Sequence, residues 1–465
     1  MNNSDSKNLF LSSMDYLLQN ISTNNLTIGV VGIGRIGLPT ALCFADKGFL
    51  TIGIDINTKL IDEINSGNYP LKDEPEFDKI FDKVITNKQF SATDNVSSSL
   101  SECDIIILSL PTPMDTNYVP NYSALLSVGK NLHDFIKSGA LVIVESTVEP
   151  GFIEDQLIAV IEGIDNKHEM NIDFSIVACP ETANPGEILT DFKKLPRLIG
   201  GISNIASEIT SNLYKHVFGV DTILLPNCKT ANAAKLTANV FRDVNIAFVN
   251  ELALLFEKMD IDILQVLDAC DKKYNFQVHY PGAGVGGPCL PVNSYQYLNT
   301  ARKTFDGVLR LIEVAREINE HMPRHTVELV IDALNETGKS VKNSSIAILG
   351  ISYKPNIADI QLSPAKEIIE ILANLGAKIK IYDPFYKSKN CFSYIVDDNM
   401  SDTVENSDAV ILVTAHDEFK NIDIKSLTQK MKTPIFIDTR GMIDMDLAKN
   451  AGVIFRGIGR GFSKK

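Results

Sequence analysis

The stretch LTIGVVGIGRIGLPTALCFADKGFLTIGIDIN, Leu26 to Asn57, constrains the fold more than any other part of the chain. An apolar, β-branched strand from Thr27 to Val31 runs into Gly32-x-Gly34-x-x-Gly37, a helical pattern follows to about Lys47, and a second strand closes on Asp55. This is a βαβ unit. The first glycine permits the tight turn, the second lets backbone approach a pyrophosphate, and the third lets the helix pack on the strand. Phosphate belongs at the helix N-terminus, where free N–H groups and the dipole favour an anion. Ile33, Arg35 and Ile36 complete that loop. Asp55 is placed to accept hydrogen bonds from a ribose, and its charge repels a 2′-phosphate, so NAD is expected rather than NADP.

Buried parallel strands are expected at CDIIILSLPTP, GALVIVESTV and DFSIVACPE. Ligands of open parallel sheets sit at the carboxyl ends of strands, so Thr112, Thr147 and Glu181 are expected to face one crevice. From Thr230 to about Met259 the pattern is that of one long helix without Gly or Pro, on which Lys235 and Asn239 share a face. A second helical stretch runs from about Val308 to Leu334. The chain then repeats its opening: SSIAILGISYKPNIAD gives strand, turn and helix start, AKIKIYDP closes on Asp383, and DAVILVTAHDEF and TPIFIDTRGM add strands. The second turn lacks the glycine fingerprint, so it is expected to serve a nucleotide other than a dinucleotide. The fold class is α/β, with two doubly wound Rossmann-like domains joined by a long central helix. The expected divisions are an extension at 1–26, a dinucleotide domain at 27–215, a helical domain at 216–335 and a second nucleotide domain at 336–465.

Length agrees, since 465 residues suggest about three domains. A formal charge of -14 argues against an extended nucleic-acid or anionic-membrane surface, while leaving room for a local phosphate pocket. Apolar runs fall far short of the roughly 18 residues of a membrane helix. Seven cysteines without CxxC spacing indicate neither a disulfide framework nor a zinc site, which points to a reducing cytoplasm. The N-terminal segment, rich in Ser and Asn, reads as a loosely ordered extension with at most one short helix around LFLSSMDYLL. His321 and His325 have i, i+4 spacing, but Pro323 between them favours the surface of a helix start over a metal site, and no metal is expected.

One loop asks a separate question. In PGAGVGGPCLPVN, Gly282, Gly284, Gly286 and Gly287 surround a single thiol, Cys289. Bare backbone would let a ligand approach the sulfur closely, or the glycines are only turn chemistry around a small hydrophobe. The residues of the loop alone leave both readings open.

The motifs GVVGIGRIGLP, PTP (Pro111 to Pro113), EST (Glu145 to Thr147), CPE (Cys179 to Glu181), AAKLTANVFRDVNIAFVNE (Ala233 to Glu251), GVGGPCLP (Gly284 to Pro291), GISYKPNIAD (Gly350 to Asp359) and YDP (Tyr382 to Pro384) occur in this order. Together they resemble the nucleotide-sugar 6-dehydrogenases, the family that oxidises UDP-glucose, GDP-mannose and UDP-N-acetylhexosamines. The resemblance implies that Cys289 is the nucleophile of a four-electron oxidation in which a sugar CH₂OH becomes a carboxylate and two NAD are reduced. It implies that Lys235 stabilises the thiolate and the oxyanions, with Asn239 as its hydrogen-bonding partner. It implies further that Glu181 serves the hydrolytic water, that Thr147 orders water beside the cofactor, and that Gly286, Gly287 and Lys354 reach the substrate. A homodimer and a role in surface-polysaccharide synthesis follow by the same resemblance.

Three positions depart from the pattern. Asn293 stands where the family usually has aspartate, Gln361 in DIQLSP stands for an arginine, and Pro288 precedes the cysteine in place of histidine or serine. An amide cannot take up a proton. Val292 and Asn293 after the cysteine, and PETANPGE, favour an acetamido sugar, UDP-N-acetylmannosamine or UDP-N-acetylglucosamine, over UDP-glucose or GDP-mannose. The competing readings are a nucleotide-sugar-binding homologue weakened in turnover and a two-electron alcohol dehydrogenase on the same fold.

Overall fold

The computed structural model describes residues 8–10, 12–165 and 167–460; residues 1–7 of the extension lie outside them. Contacts divide the chain into two compact units, one holding residues 1–238 and 295–303, the other 239–294 and 304–465.

The first unit begins with α1 (Met14–Ser22), capped by the Ser13 hydroxyl. The extension from residue 8 is not loose, as the sequence suggested. Leu9, Leu17 and Ile21 are buried in the core of this unit, and the Asn8 amide bonds the Ile172 carbonyl at 2.9 Å. Strands β1 (Thr27–Val31), β2 (Leu50–Ile54), β3 (Phe90–Thr93), β4 (Ile105–Leu108), β5 (Ala140–Val144), β6 (Phe174–Ala178), β7 (Arg197–Gly201) and β8 (Thr222–Leu225) form one sheet in the order β3-β2-β1-β4-β5-β6-β7-β8. Every pairing is parallel except that of β6 with β7. Side chains alternate between two cores: Ile28, Val30, Ile105 and Ile107 enter one, and Val31, Ile106 and Leu108 the other. That is the signature of a sheet covered on both faces, here by α2 (Gly37–Lys47) and α3 (Asn204–Phe218) on one and by the helix Ser123–Phe135 on the other. β3, β7 and β8 gave no separate signal in the sequence.

The long helix α4 (Cys228–Met259) starts in the first unit and continues in the second. α5 (Leu290–Phe305) has its first residues in the second unit and Tyr295 to Lys303 in the first. α6 (Arg310–Glu336) is a single helix with Pro323 in its interior. The region of His321 and His325 is therefore no helix start, which corrects the reading from the proline. His325 is buried and faces Glu257 of α4 at 3.0 Å.

The second unit carries β9 (Ser345–Leu349), β10 (Lys378–Tyr382), the small hairpin β11 (Asn390–Cys391) and β12 (Tyr394–Ile395), then β13 (Ala409–Leu412), β14 (Ile435–Asp438) and β15 (Ile454–Gly457). Its parallel sheet runs β10-β9-β13-β14-β15. The internal repeat is visible at atomic detail. Gly32 and Gly350 both have positive φ, +87° and +82°; their N–H groups donate to the Ile54 and Tyr382 carbonyls at 2.8 Å. One residue on, the Ile33 and Ile351 N–H groups donate to Asp55 and Asp383 at 3.0 and 2.8 Å. Among the described residues no helix is long and apolar enough to cross a membrane.

Candidate active site

The first turn has the geometry its glycines require. A Cβ at Gly32 would stand 2.6 Å from the Ser109 carbonyl oxygen, and one at Gly37 would stand 1.8 Å from that of Gly32. At Gly34 a Cβ would meet nothing within 4 Å, so the open space lies where the motif expects a pyrophosphate. Asp55 is half-buried; its oxygens accept from Ile33 N–H and, at 2.9 Å, from Asn57 N–H, which leaves lone pairs for a ribose. Arg35 turns to Asp73, at 2.7 Å.

Beyond the carboxyl ends of β4 and β5 the Thr112 hydroxyl donates to the Thr147 carbonyl at 2.9 Å. The Gln296 amide of α5 reaches the same carbonyl at 3.2 Å. Beside it Glu149 accepts from Asn299 at 2.8 Å and Lys303 at 2.6 Å, so the middle of α5 is tied to the loop after β5. Gln296 and Glu149 carry no motif and were not singled out in the sequence.

Glu181 is buried and occupied. One oxygen pairs with the Arg197 guanidinium, the other accepts the Thr182 and Ala183 N–H groups at 2.6 and 2.7 Å. Arg197 in turn lies 4.6 Å from the ring centres of Phe192 and Phe218. Next to this pair Glu145 accepts from Tyr214 at 2.7 Å and Thr40 at 3.2 Å. Burial first, and then the negative charge of Glu181, push its carboxyl up to about 7 against the pull of Arg197 and those donors. Lys235, on α4, is buried in the same unit.

In the second unit Cys289 is exposed and immediately precedes α5, its carbonyl accepting the Asn293 N–H at 2.9 Å. The glycines around it dock the loop on its own unit. A Cβ at Gly286 would stand 2.4 Å from the Leu362 carbonyl oxygen, and one at Gly287, whose φ is +88°, 2.6 Å from the Tyr353 ring. Gly287 N–H donates to the Gln361 carbonyl at 2.9 Å. The bare backbone thus has a packing cause inside the chain, beside whatever ligand approach it permits. Asn239 donates to Asn293 at 2.6 Å, both buried. Lys354 is half-buried in the loop after β9.

A pocket of the second unit is lined by Ser352, Tyr353, Thr414 and Arg440 at the carboxyl ends of β9, β13 and β14, together with Gly284. Asp383 differs here from Asp55: it is fully buried, with His416 bonded to it at 3.1 Å, and cannot meet a ribose. Burial opposes its charge, but the His416 bond and the Ile351 and Phe385 N–H groups hold it below the usual aspartate range. Arg440, missed in the sequence, is lowered in pKa by desolvation against the pull of Asp438.

Models of three domains of one family match the chain: the UDP-glucose/GDP-mannose dehydrogenase NAD binding domain at residues 26–218, the central domain at 229–321 and the UDP binding domain at 347–445. The chain is 35% identical to the UDP-N-acetyl-D-mannosamine dehydrogenase of Pyrococcus horikoshii over 94% of this chain and all of that one. It is 31% identical to the NDP-N-acetyl-D-galactosaminuronic acid dehydrogenase of Ralstonia nicotianae, over 90% and 96%. A solved structure of the UDP-D-ManNAc dehydrogenase of Pyrococcus horikoshii superposes with a TM-score of 0.86 at 33% identity, covering 94% of this chain and 99% of that one. Three domain models of one family matched along the chain, and a relative 35% identical over 94% of it, make the chain a member of the UDP-glucose/GDP-mannose dehydrogenase family, with an NAD-binding domain.

Proposed function

We propose that the protein oxidises the C6 hydroxymethyl of a UDP-N-acetylhexosamine, with N-acetylmannosamine or N-acetylglucosamine as the sugar, to the uronate. The balance is one sugar alcohol, two NAD and one water giving a carboxylate, two NADH and three protons. The first hydride leaves an aldehyde; Cys289 adds to it as a thiolate; the thiohemiacetal gives up the second hydride, and water cleaves the thioester. Covalent capture divides the conversion and retains the aldehyde. NAD, when bound, accepts the hydrides.

The observation that carries this reading is the exposure of Cys289. Burial pushes the thiols of Cys43, Cys103 and Cys228 up to about 12 and leaves them inert, whereas Cys289 lies open at the head of a 16-residue helix. The positive end of that helix dipole favours an oxyanion formed at the sulfur. Lys235 supplies positive charge to the same chemistry, and Thr147 and Thr112 the cofactor edge. Glu181, engaged by Arg197, serves the hydrolytic water as general base once that pair opens. Asn293 takes up no proton; with Asn239 it orients the head of α5, so proton uptake falls to water, to Glu181 or, once it has lost its own proton, to Lys235. Gly286, Gly287 and Lys354 face the sugar nucleotide, and Arg440 its phosphates. The work divides over 27–215 for NAD, 216–335 for the thiol and dimer contact, and 336–465 for the UDP end. The names of the two relatives support an acetamido sugar. Seven unpaired cysteines support a reducing cytoplasm.

The test is NADH release at 340 nm with NAD and UDP-N-acetylmannosamine, UDP-N-acetylglucosamine, UDP-glucose or GDP-mannose. Two NADH per acetamido sugar, lost in Cys289→Ala, is the expected result. One NADH per sugar indicates a two-electron dehydrogenase, and none with any sugar indicates a binding protein.

A further inference from the structure

α4 buries an unusual row of polar side chains. Asn239, Asp243 and Asn250 recur at spacings of four and seven, so they share one face, and Asp243 and Asn250 are fully buried. Their partners come from two places. From α6, the Arg316 guanidinium and the Asn319 amide both donate to Asp243 Oδ1 at 2.8 Å. From the cysteine segment, the Ser294 hydroxyl donates to Asp243 Oδ2 at 2.6 Å. The row then extends to the other end of that segment: Asn250 donates to Asn319 Oδ1 at 2.9 Å and accepts the Gly282 N–H at 2.9 Å. All of these residues belong to the second unit.

Gly282 and Ser294 bracket Cys289, with seven residues before it and five after it counted from those two anchors. One continuous chain of hydrogen bonds, Gly282 to Asn250 to Asn319 to Asp243 to Ser294, therefore closes the loop at both ends. A purely apolar contact would hold the loop equally buried, but without fixing its span, because hydrogen bonds are directional and apolar burial is not. We infer that Asp243, Asn250, Asn319 and Ser294 form a polar latch that sets the reach of Cys289, acting as positioning residues for the thiol. The inference rests on Cys289 being the nucleophile. Chemistry at the thiol needs near-attack geometry, and a displacement of about 1 Å lowers turnover by as much as about a hundredfold.

Ser294→Ala removes one donor without adding volume, and Asn250→Ala frees the Gly282 end. In both, kcat with NAD and the acetamido sugar is expected to fall about tenfold to a hundredfold, with KM for NAD within about twofold, since the dinucleotide turn belongs to the other unit. Less than two NADH should form per sugar consumed, because aldehyde escapes before capture. Alkylation of Cys289 by iodoacetamide, followed on its tryptic peptide, should change by at least about threefold. Folded variants with unchanged kcat, stoichiometry and alkylation rate overturn the latch. So does Ser294→Ala losing its fold, or raising KM for NAD in step with the fall in kcat, since either marks general damage. If the wild-type protein itself makes no NADH from any sugar, the catalytic reading has failed, and the alkylation rates alone decide the latch.

Discussion

Glu145 is a carboxyl kept partly protonated by its surroundings. Its folded value of about 7 lies above the ordinary 4.5, so the folded state binds more protons than the unfolded state between those two values. Stability from this group is therefore complete below about pH 4.5 and declines as pH rises towards 7, by an amount on the order of a few kcal/mol. Melting temperatures of the wild type should fall between pH 5 and 7.5 more steeply than those of Glu145→Gln, whose amide does not titrate. Parallel slopes would place the raised value elsewhere. Asp55 gives a second expectation at this scale. Asp55→Ala should raise KM for NAD about tenfold or more, the loss of hydrogen bonds to a charged acceptor, and narrow the preference against NADP. Of these two acids only Asp55 was legible in the sequence, because its position follows from a motif. The state of Glu145 depends on Glu181, Arg197, Tyr214 and Thr40, which come from different strands and helices and converge only in the folded sheet.

At the scale of elements, the βαβ turn separates folding from binding. Gly37→Ala places a methyl 1.8 Å from a carbonyl oxygen and should cost roughly 1–3 kcal/mol, the usual range for overpacking, seen as a lower melting temperature without ligand. Gly34→Ala meets open space and should melt like the wild type yet lose the thermal shift that NAD produces. Elements of this kind were readable from sequence wherever a periodic run was long or ended on a marked residue, as in β1, β2 and α4. Proline misled at α6. Pro323 breaks one backbone bond, but the burial of Met322, Pro323, His325, Thr326 and Val327 around it retains the helix. The glycines of the cysteine loop were noticed, though their cause was not, since Tyr353 and Leu362 lie more than sixty residues away in sequence.

For the whole molecule, α4 leaves part of its apolar surface open. Phe241, Phe248, Leu255 and Met259 are exposed along it, a row of large side chains that a lone chain leaves in water. We propose that a second copy covers them. Phe248→Glu should convert a dimer into a monomer by light scattering; a wild type that is already monomeric at micromolar concentration would remove the proposal. The doubled α/β plan and its repeat were legible, because each half carries a complete strand-turn-helix pattern closing on an aspartate, whereas β3, β7 and β8 were not. The tying of α5 to residues of both units was not, since no motif marks Gln296, Glu149 or Ser294.

The interior proline of α6 has one more consequence. A Cβ at Gly284 would come within 3.2 Å of the Asn319 carbonyl oxygen and 3.3 Å of Pro323 Cδ, so the helix defect and the bare loop position are fitted to each other. Changes at 284 and 323 should then be non-additive in a double-mutant cycle. An engineer who swaps this loop between homologues without its matching helix turn inherits a mismatch, and the two segments are best exchanged as one cassette.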